Sequence, residues 1–102
     1  MVVSKTELFG EALQEQASLF KALAHPARLQ ILQFLAKSKN CISSDISEEL
    51  PLSRTTVNQH LTELKEAGLI QGEINPPYIK YCINKTGWSE AKELLGTFFN
   101  RK

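Results

Sequence analysis

The chain has no apolar run near the roughly 18 residues that a membrane-crossing helix needs, so neither a span nor a membrane partner is expected. Cysteine is scarce: Cys41 and Cys82, far apart, do not make a disulfide framework. Histidine is as scarce, and neither His25 nor His60 stands at short spacing from a cysteine, so a Cys2His2 zinc site has no signature. There is no Gly-rich phosphate loop, no paired carboxylate in an apolar setting and no nucleophile–base arrangement, so neither an enzyme nor a cofactor is expected. The opening Met1-Val-Val-Ser-Lys5 lacks the apolar core of a signal peptide, which points to the cytoplasm. Excess charge is lacking too. Twelve basic residues against 11 acidic ones leave a net +1, and the pI of 7.8 is below the ~9 that often marks a nucleic-acid-binding domain.

What is present is 102 residues, 42% hydrophobic and 23% charged, enough for one globular domain with a modest core. One stretch organises the rest: Ser53-Arg-Thr-Thr-Val-Asn-Gln-His-Leu-Thr-Glu-Leu-Lys-Glu-Ala-Gly68. Ser53 is a good N-cap and Gly68 the usual residue just past a helix end. Val57, Leu61 and Leu64 recur at helical spacing and share one face. Thr55, Asn58, Gln59 and Thr62 fall on or beside the opposite face, with Arg54 at its start. Amide and hydroxyl groups of this kind pair with base edges in the DNA major groove. A solvated surface is the alternative for any single amphipathic helix, and the flanking segments decide against it.

Ser4 and Glu7 match a capping box, and the helix after them carries Leu8, Phe9, Ala12, Leu13, Ala17, Leu19, Phe20 and Leu23, a set too wide for one small core. His25-Pro26 interrupts it, since the residue before proline avoids helix and proline suits the first helical position. A second helix is expected from Pro26 to about Ala36, with Leu29, Ile31, Leu32 and Leu35 inward and Arg28 and Gln30 outward. Cys41-Ile42 reads as a very short strand. Ser43 or Ser44 caps a third helix, Asp45 to Leu50, and Pro51-Leu52 turns into the Ser53 helix, which makes a helix-turn-helix. Leu69–Ile74 and Tyr78–Ile83 alternate as strands around Asn75-Pro-Pro77, a hairpin with its prolines at the tip. A hairpin placed directly after a helix-turn-helix is a wing. A last helix is expected near Trp88, with Trp88, Ala91, Leu94, Leu95, Phe98 and Phe99 as its stripe. The expected fold is therefore mainly α with a small β-hairpin: a winged helix-turn-helix, residues 1–102 as one domain. Residues 5–23 and 88–99 are its dimerisation helices, because both carry more apolar surface than one core takes up.

The residues resemble the arsenic-repressor (ArsR/SmtB) family of bacterial winged-helix repressors. The resemblance rests on Leu19-Phe-Lys-Ala-Leu-Ala-His-Pro-Ala-Arg-Leu-Gln-Ile-Leu32, Leu52-Ser-Arg-Thr-Thr-Val-Asn-Gln-His-Leu61, Leu64-Lys-Glu-Ala-Gly-Leu-Ile70 and the wing segment Ile79-Lys-Tyr-Cys-Ile83, across about residues 8–99. It implies a homodimer, five helices with the wing between the fourth and fifth, operator binding through the Ser53 helix, and repression relieved by an inducer. The sequence departs from the family at its sensing sites. Where many members place a Cys-x-Cys pair before the third helix, this chain has Ile42 and Ser44, and residues 88–102 contain no histidine for the zinc site other members build there. The expected function is a dimeric, sequence-specific repressor acting on an operator in double-stranded DNA. The expected DNA-binding residues are Ser53, Arg54, Thr55, Thr56, Asn58, Gln59, Thr62 and Lys80. No metal site is expected, and the inducer is not specified by the residues.

Two alternatives stay open. Residues 41–68 hold two basic and five acidic side chains, a net −3, which fits a winged helix used as a protein-interaction module. The other is a thiol-responsive sensor of oxidant or metal through Cys41 and Cys82. The short strand before the third helix pairs with the second wing strand in a winged helix, and that would bring the two together. Burial as two inert small hydrophobes is the plainer expectation for them. His25 is read as a helix-entry residue bonding local backbone, and His60 as a core-edge residue.

Overall fold

The computed structural model describes residues 8–38, 41–42, 46–75 and 78–100. The capping box at Ser4–Glu7, the cap at Ser43 or Ser44, Asp45 and the prolines of the hairpin tip lie outside the described residues. Among the described residues, four α-helices and one hairpin follow each other: α1 (Glu11–Leu23), α2 (Pro26–Lys37), a 3-10 turn (Ile46–Glu49), α3 (Arg54–Glu66), β1 (Ile70–Asn75), β2 (Tyr78–Ile83) and α4 (Lys85–Phe99).

Local chemistry sets the helix ends. Gly10, extended at φ −64° and ψ 157°, is the N-cap of α1, so the single helix expected across Phe9 and Gly10 is broken there. His25 caps α2, its Nδ1 accepting the Ala27 N–H at 3.0 Å, and Pro26 follows with its φ already set for helix. Ser53 caps α3 by accepting the Thr56 N–H at 3.2 Å. At the other end Gly68 takes φ +80°, the left-handed region a side chain avoids. Gly68 N–H then bonds Lys65 O at 3.0 Å and Leu69 N–H bonds Leu64 O at 3.1 Å, a complete Schellman closure. Asn84 caps α4, accepting from Gly87 N–H at 3.2 Å, so this helix begins three residues before the expected Trp88.

The third helix expected from Asp45 to Leu50 is instead the four-residue 3-10 turn Ile46–Glu49. Pro51 supplies the reason: it cannot continue a helix and biases Leu50 away from helical angles, leaving no room for two α-turns. Ile46 and Leu50 still point inward and are buried. They join Ile31, Leu32 and Leu35 of α2, Val57, Leu61 and Leu64 of α3, Leu19 of α1, Ala91 of α4, and Leu69 and Ile70 at the wing's root in one core. Two expectations for α2 are corrected. Leu29 is 48% exposed, and Arg28 turns inward, because its guanidinium finds carbonyl and imidazole partners described below.

β1 and β2 pair antiparallel, in the register Ile70↔Ile83 through Asn75↔Tyr78. Ile42 adds a one-residue third rung, bridging Tyr81. Tyr81 and Ile83 pack against the core, while Ile79, farther along the same face, is exposed. Beside the bridge, Cys41 and Cys82 form a disulfide with Cα atoms 4.5 Å apart. The expectation of two inert free thiols is thereby corrected, and the pairing of the short strand with β2 is what brings them together.

The first turn of α4 packs directly on the end of α3. A Cβ at Gly87 would fall on the Gly68 carbonyl oxygen and lie 2.9 Å from its carbon. Gly87→Ala is expected to lower unfolding free energy by about 1–3 kcal/mol, the usual range for overpacking, read as a shifted urea midpoint. Reduction of the disulfide, which closes a loop of sequence separation 41, is expected to lower it by about 2–4 kcal/mol in the same assay.

Candidate nucleic-acid interface

α3 is a two-sided element. Val57, Leu61 and Leu64 are 2%, 3% and 0% exposed. Burying three aliphatic side chains is worth several kcal/mol, since each truncation to alanine in a core costs about 2–5 kcal/mol. That burial fixes the helix's rotation, so Thr55, Asn58, Gln59, Thr62, Arg54 and Glu66 are held in solvent. Among the described residues, Asn58 and Gln59 make no side-chain hydrogen bond, and their donors and acceptors point outward for another molecule. Thr62 donates to Asn58 O at 2.9 Å and keeps its acceptor capacity. Ser53 and Thr56 are partly used inside the protein: Ser53 Oγ donates to Thr56 Oγ1 at 2.9 Å and caps the helix. Of the eight expected site residues, seven therefore gather on α3 and its cap, and Lys80 stands apart on β2.

Lys80 is half-buried, and its Cα partner in the hairpin is Glu73. Glu73 and Lys80 thus face each other across the strands at the wing's single lysine.

The residues behind α3 are those that single-residue patterns missed. Arg28 Nε donates to His60 Nδ1 at 3.1 Å, and its Nη1 donates to Ala22 O at 3.1 Å and Lys21 O at 3.4 Å. One side chain thus covers carbonyls at the end of α1 and grips the inner side of α3. His60 is buried, as its place beside the Val57 stripe predicts, and its ring lies 4.2 Å from that of His25. The Ala-His-Pro-x-Arg and Thr-Val-x-x-His-Leu runs therefore converge in one cluster. Accepting at Nδ1 makes Nε2 the protonated nitrogen of neutral His60, and Nε2 is buried without a partner. Burial first, then the His25 ring and the Arg28 guanidinium, push its pKa below the ordinary 6.5.

A second surface runs over α1 and α4. Gln16, buried, donates to Leu94 O at 3.1 Å and ties the two helices together. Phe20 meets Phe98 and Phe99 edge-on, with ring centroids 5.5 and 5.7 Å away. Phe99 nevertheless remains 68% exposed, and Leu8, Phe9, Leu13 and Phe98 are exposed as well.

Among the described residues no three His, Cys, Asp or Glu side chains gather as a metal site, and no helix is long and apolar enough to cross a membrane.

Comparison with known proteins places this geometry. The sequence profile of the bacterial regulatory protein arsR family matches residues 25–71. The transcriptional repressor SdpR of Bacillus subtilis (strain 168) is 30% identical over 84 residues, 82% of this chain and 92% of that protein. The HTH-type transcriptional regulator YgaV of Escherichia coli (strain K12) is 33% identical over 70 residues, 69% and 71% of the two chains. Among solved structures, the homodimeric winged helix-turn-helix DNA-binding domain of a possible ArsR-family transcriptional regulator from Mycobacterium bovis superposes with a TM-score of 0.68. It is 26% identical, with 96% of this chain and 88% of that one covered.

The His60 cluster yields a pH prediction. A histidine whose folded pKa is depressed binds fewer protons folded than unfolded, so stability is complete above the ordinary 6.5 and falls as pH drops below it. Urea unfolding between about pH 7.5 and 5 should show that fall, and His60→Leu should remove its part of the slope.

Proposed function

This chain belongs to the ArsR family of bacterial regulatory proteins and is a DNA-binding transcriptional regulator; from that premise we propose that it acts as a homodimeric repressor whose α3 helices read an operator. One observation carries the reading: the buried Val57–Leu61–Leu64 stripe leaves Thr55, Asn58, Gln59 and Thr62 as an outward polar ridge without large apolar groups. Asn and Gln amides match adenine's major-groove edge, and hydroxyls match either partner.

The proposed phosphate contacts suit a chain of nearly neutral charge. The Ser53 cap takes the Thr56 amide, and the first amides of α3, at Arg54 and Thr55, are positioned for a phosphate at the helix N-terminus. The Arg54 side chain and Lys80 add to them. Few contacts of this kind give a shallow salt dependence, since each neutralised phosphate contributes a slope of about −0.9 in log K against log salt.

Two copies are proposed to pair through residues 5–23 and 88–99. The exposed Leu13, Phe98 and Phe99, beside the half-buried Phe20, support this, because a rim of aromatic side chains in water is costly. The relative of known structure from Mycobacterium bovis is itself a homodimer, and SdpR is itself a repressor. A symmetric pair would set two α3 helices on half-sites about one helical turn apart. The workplace of such a regulator is the cytoplasm, where the DNA is. Metal sensing at the family's usual positions is proposed to be lost. Ile42 stands where a thiolate would be needed, and α4 contains no histidine.

Duplexes selected from a random pool give the test. Asn58→Ala and Gln59→Ala are expected to cost about 1–3 kcal/mol of specific binding each, and Arg54→Ala to weaken all sequences alike. Phe99→Asp should yield a monomer by sedimentation while leaving the circular dichroism spectrum intact. Uniformly small effects across the three α3 variants, or no duplex enriched at all, would favour the protein-interaction reading that the acidic 41–68 segment supports.

A further inference from the structure

Cys41 and Cys82 stand one step beyond the Ile42–Tyr81 pair, whose two backbone hydrogen bonds are both 2.8 Å. In an antiparallel ladder the next pair lacks hydrogen bonds, and there Cα atoms approach to about 4.5 Å and side chains come closest. The Cα separation here is 4.5 Å. Backbone pairing therefore brings the sulfurs together before any covalent bond exists, through one pair of hydrogen bonds that can open transiently once the bond is reduced. Both residues are half-buried and line a cleft with Gln71, Lys85 and Trp88, which gives a small reagent access. Gln71 Nε2 lies 3.5 Å from Cys82 Sγ and donates to it. A donor there favours negative charge on that sulfur, as the exchanging thiolate carries.

The position matters as much as the chemistry. The loop closed between Cys41 and Cys82 contains the 3-10 turn, α3, β1 and β2 as far as Tyr81. Every residue of the proposed DNA surface lies inside it. With the bond open, the Ile42–Tyr81 bridge is the one rung among the described residues that joins the strand leading into the helix-turn-helix to the wing.

We propose that Cys41–Cys82 is a reversible thiol–disulfide switch that sets how firmly the wing is tied to the helix-turn-helix, with the oxidised form binding DNA more tightly. The proposal rests on the DNA-binding reading above. In a thiol-buffered cytoplasm a disulfide exists chiefly as a transient, redox-sensing bond. The oxidant is a low-molecular-weight disulfide of the glutathione class. The Cys82 thiolate attacks one of its sulfurs, forms a mixed disulfide and releases one small thiol after protonation. The Cys41 thiolate then attacks Cys82 Sγ, closes the protein bond and releases the second. The protein loses two electrons and two protons, and the small disulfide gains both. Oxidation removes wing orientations unable to meet DNA together with α3, and affinity rises by the fraction so removed.

The test uses the full chain equilibrated in mixtures of reduced and oxidised glutathione. Thiols are counted by alkylation and mass spectrometry, and affinity for a selected duplex is read by fluorescence anisotropy. The expected result is a reversible two-electron transition accompanied by an affinity gain of about fivefold or more on oxidation. Cys41→Ser and Cys82→Ser should stay at the reduced affinity at every ratio. Should those variants fail to fold, hydrogen exchange at the Ile42 and Tyr81 amides of the wild-type chain replaces them, with faster exchange expected after reduction. A bond that neither opens nor reforms in these buffers, unchanged amide exchange, equal affinity in both states, or tighter binding by the reduced chain would overturn the switch. Equal specific binding in both states removes the switch alone, whereas no specific binding in either state removes the DNA reading along with it.

Discussion

Three aliphatic side chains on one face of α3 are seated in the core, and that seating decides which side of the helix meets the outside world. Val57, Leu61 and Leu64 are almost wholly excluded from water. A helix so held has no freedom to roll, because each rotation would expose a side chain whose burial is worth about 2 kcal/mol. The polar ridge opposite is therefore presented rigidly, as a binding surface that reads sequence requires. The ends of the helix are pinned as well, by the Ser53 cap and by the Schellman closure at Gly68. The close approach of Gly87 to Gly68 extends that rigidity into α4. Through Gln16 on Leu94 O it reaches α1, and with it the proposed dimer surface. α3 and the helices of the proposed dimer surface are thus parts of one packed body, and the spacing of two α3 helices in such a dimer would be set by packing.

The sequence made α3 and the wing legible because short-range rules govern both. The Ser53 cap, the Gly68 stop and the period-2 alternation of residues 78–83 are local signals, and the structure reproduces them within a residue. Ile46 and Leu50 fit a helical period and point inward as that period predicts, but Pro51 limits their segment to a 3-10 turn. The apolar pattern puts the start of α4 near Trp88, its first large apolar residue, whereas the cap Asn84 sets the start at Lys85. The charge of Arg28 predicts an outward side chain. Its partners, Ala22 O and the His60 ring, come from two other helices, and no pattern within α2 announces them. Leu29 was placed inside on the same α2 pattern, and its exposure has no local signal either.

Among the site residues, helical periodicity separated the outward ones of α3 from the buried ones, and the structure agrees on Thr55, Asn58, Gln59 and Thr62. What periodicity could not reveal is which hydroxyls are already spoken for. Ser53 and Thr56 bond each other, and this only the three-dimensional cap shows. The cysteine pair is the opposite case. A topological expectation, that a short strand lies beside β2, brought Cys41 towards Cys82, and the observed register places them face to face. Sequence separation hid the pair from any spacing rule.

The account depends most on the α3 ridge entering the major groove twice, and chemical interference on a selected duplex tests this directly. Purines replaced one at a time by 7-deaza analogues lose the major-groove N7 of adenine and guanine alike, and 3-deazaadenine loses the minor-groove N3. A ridge seated in the major groove predicts interference at purine N7 in two clusters about 10 base pairs apart, one per α3 helix. Interference confined to adenine N3, or a single cluster only, would contradict it.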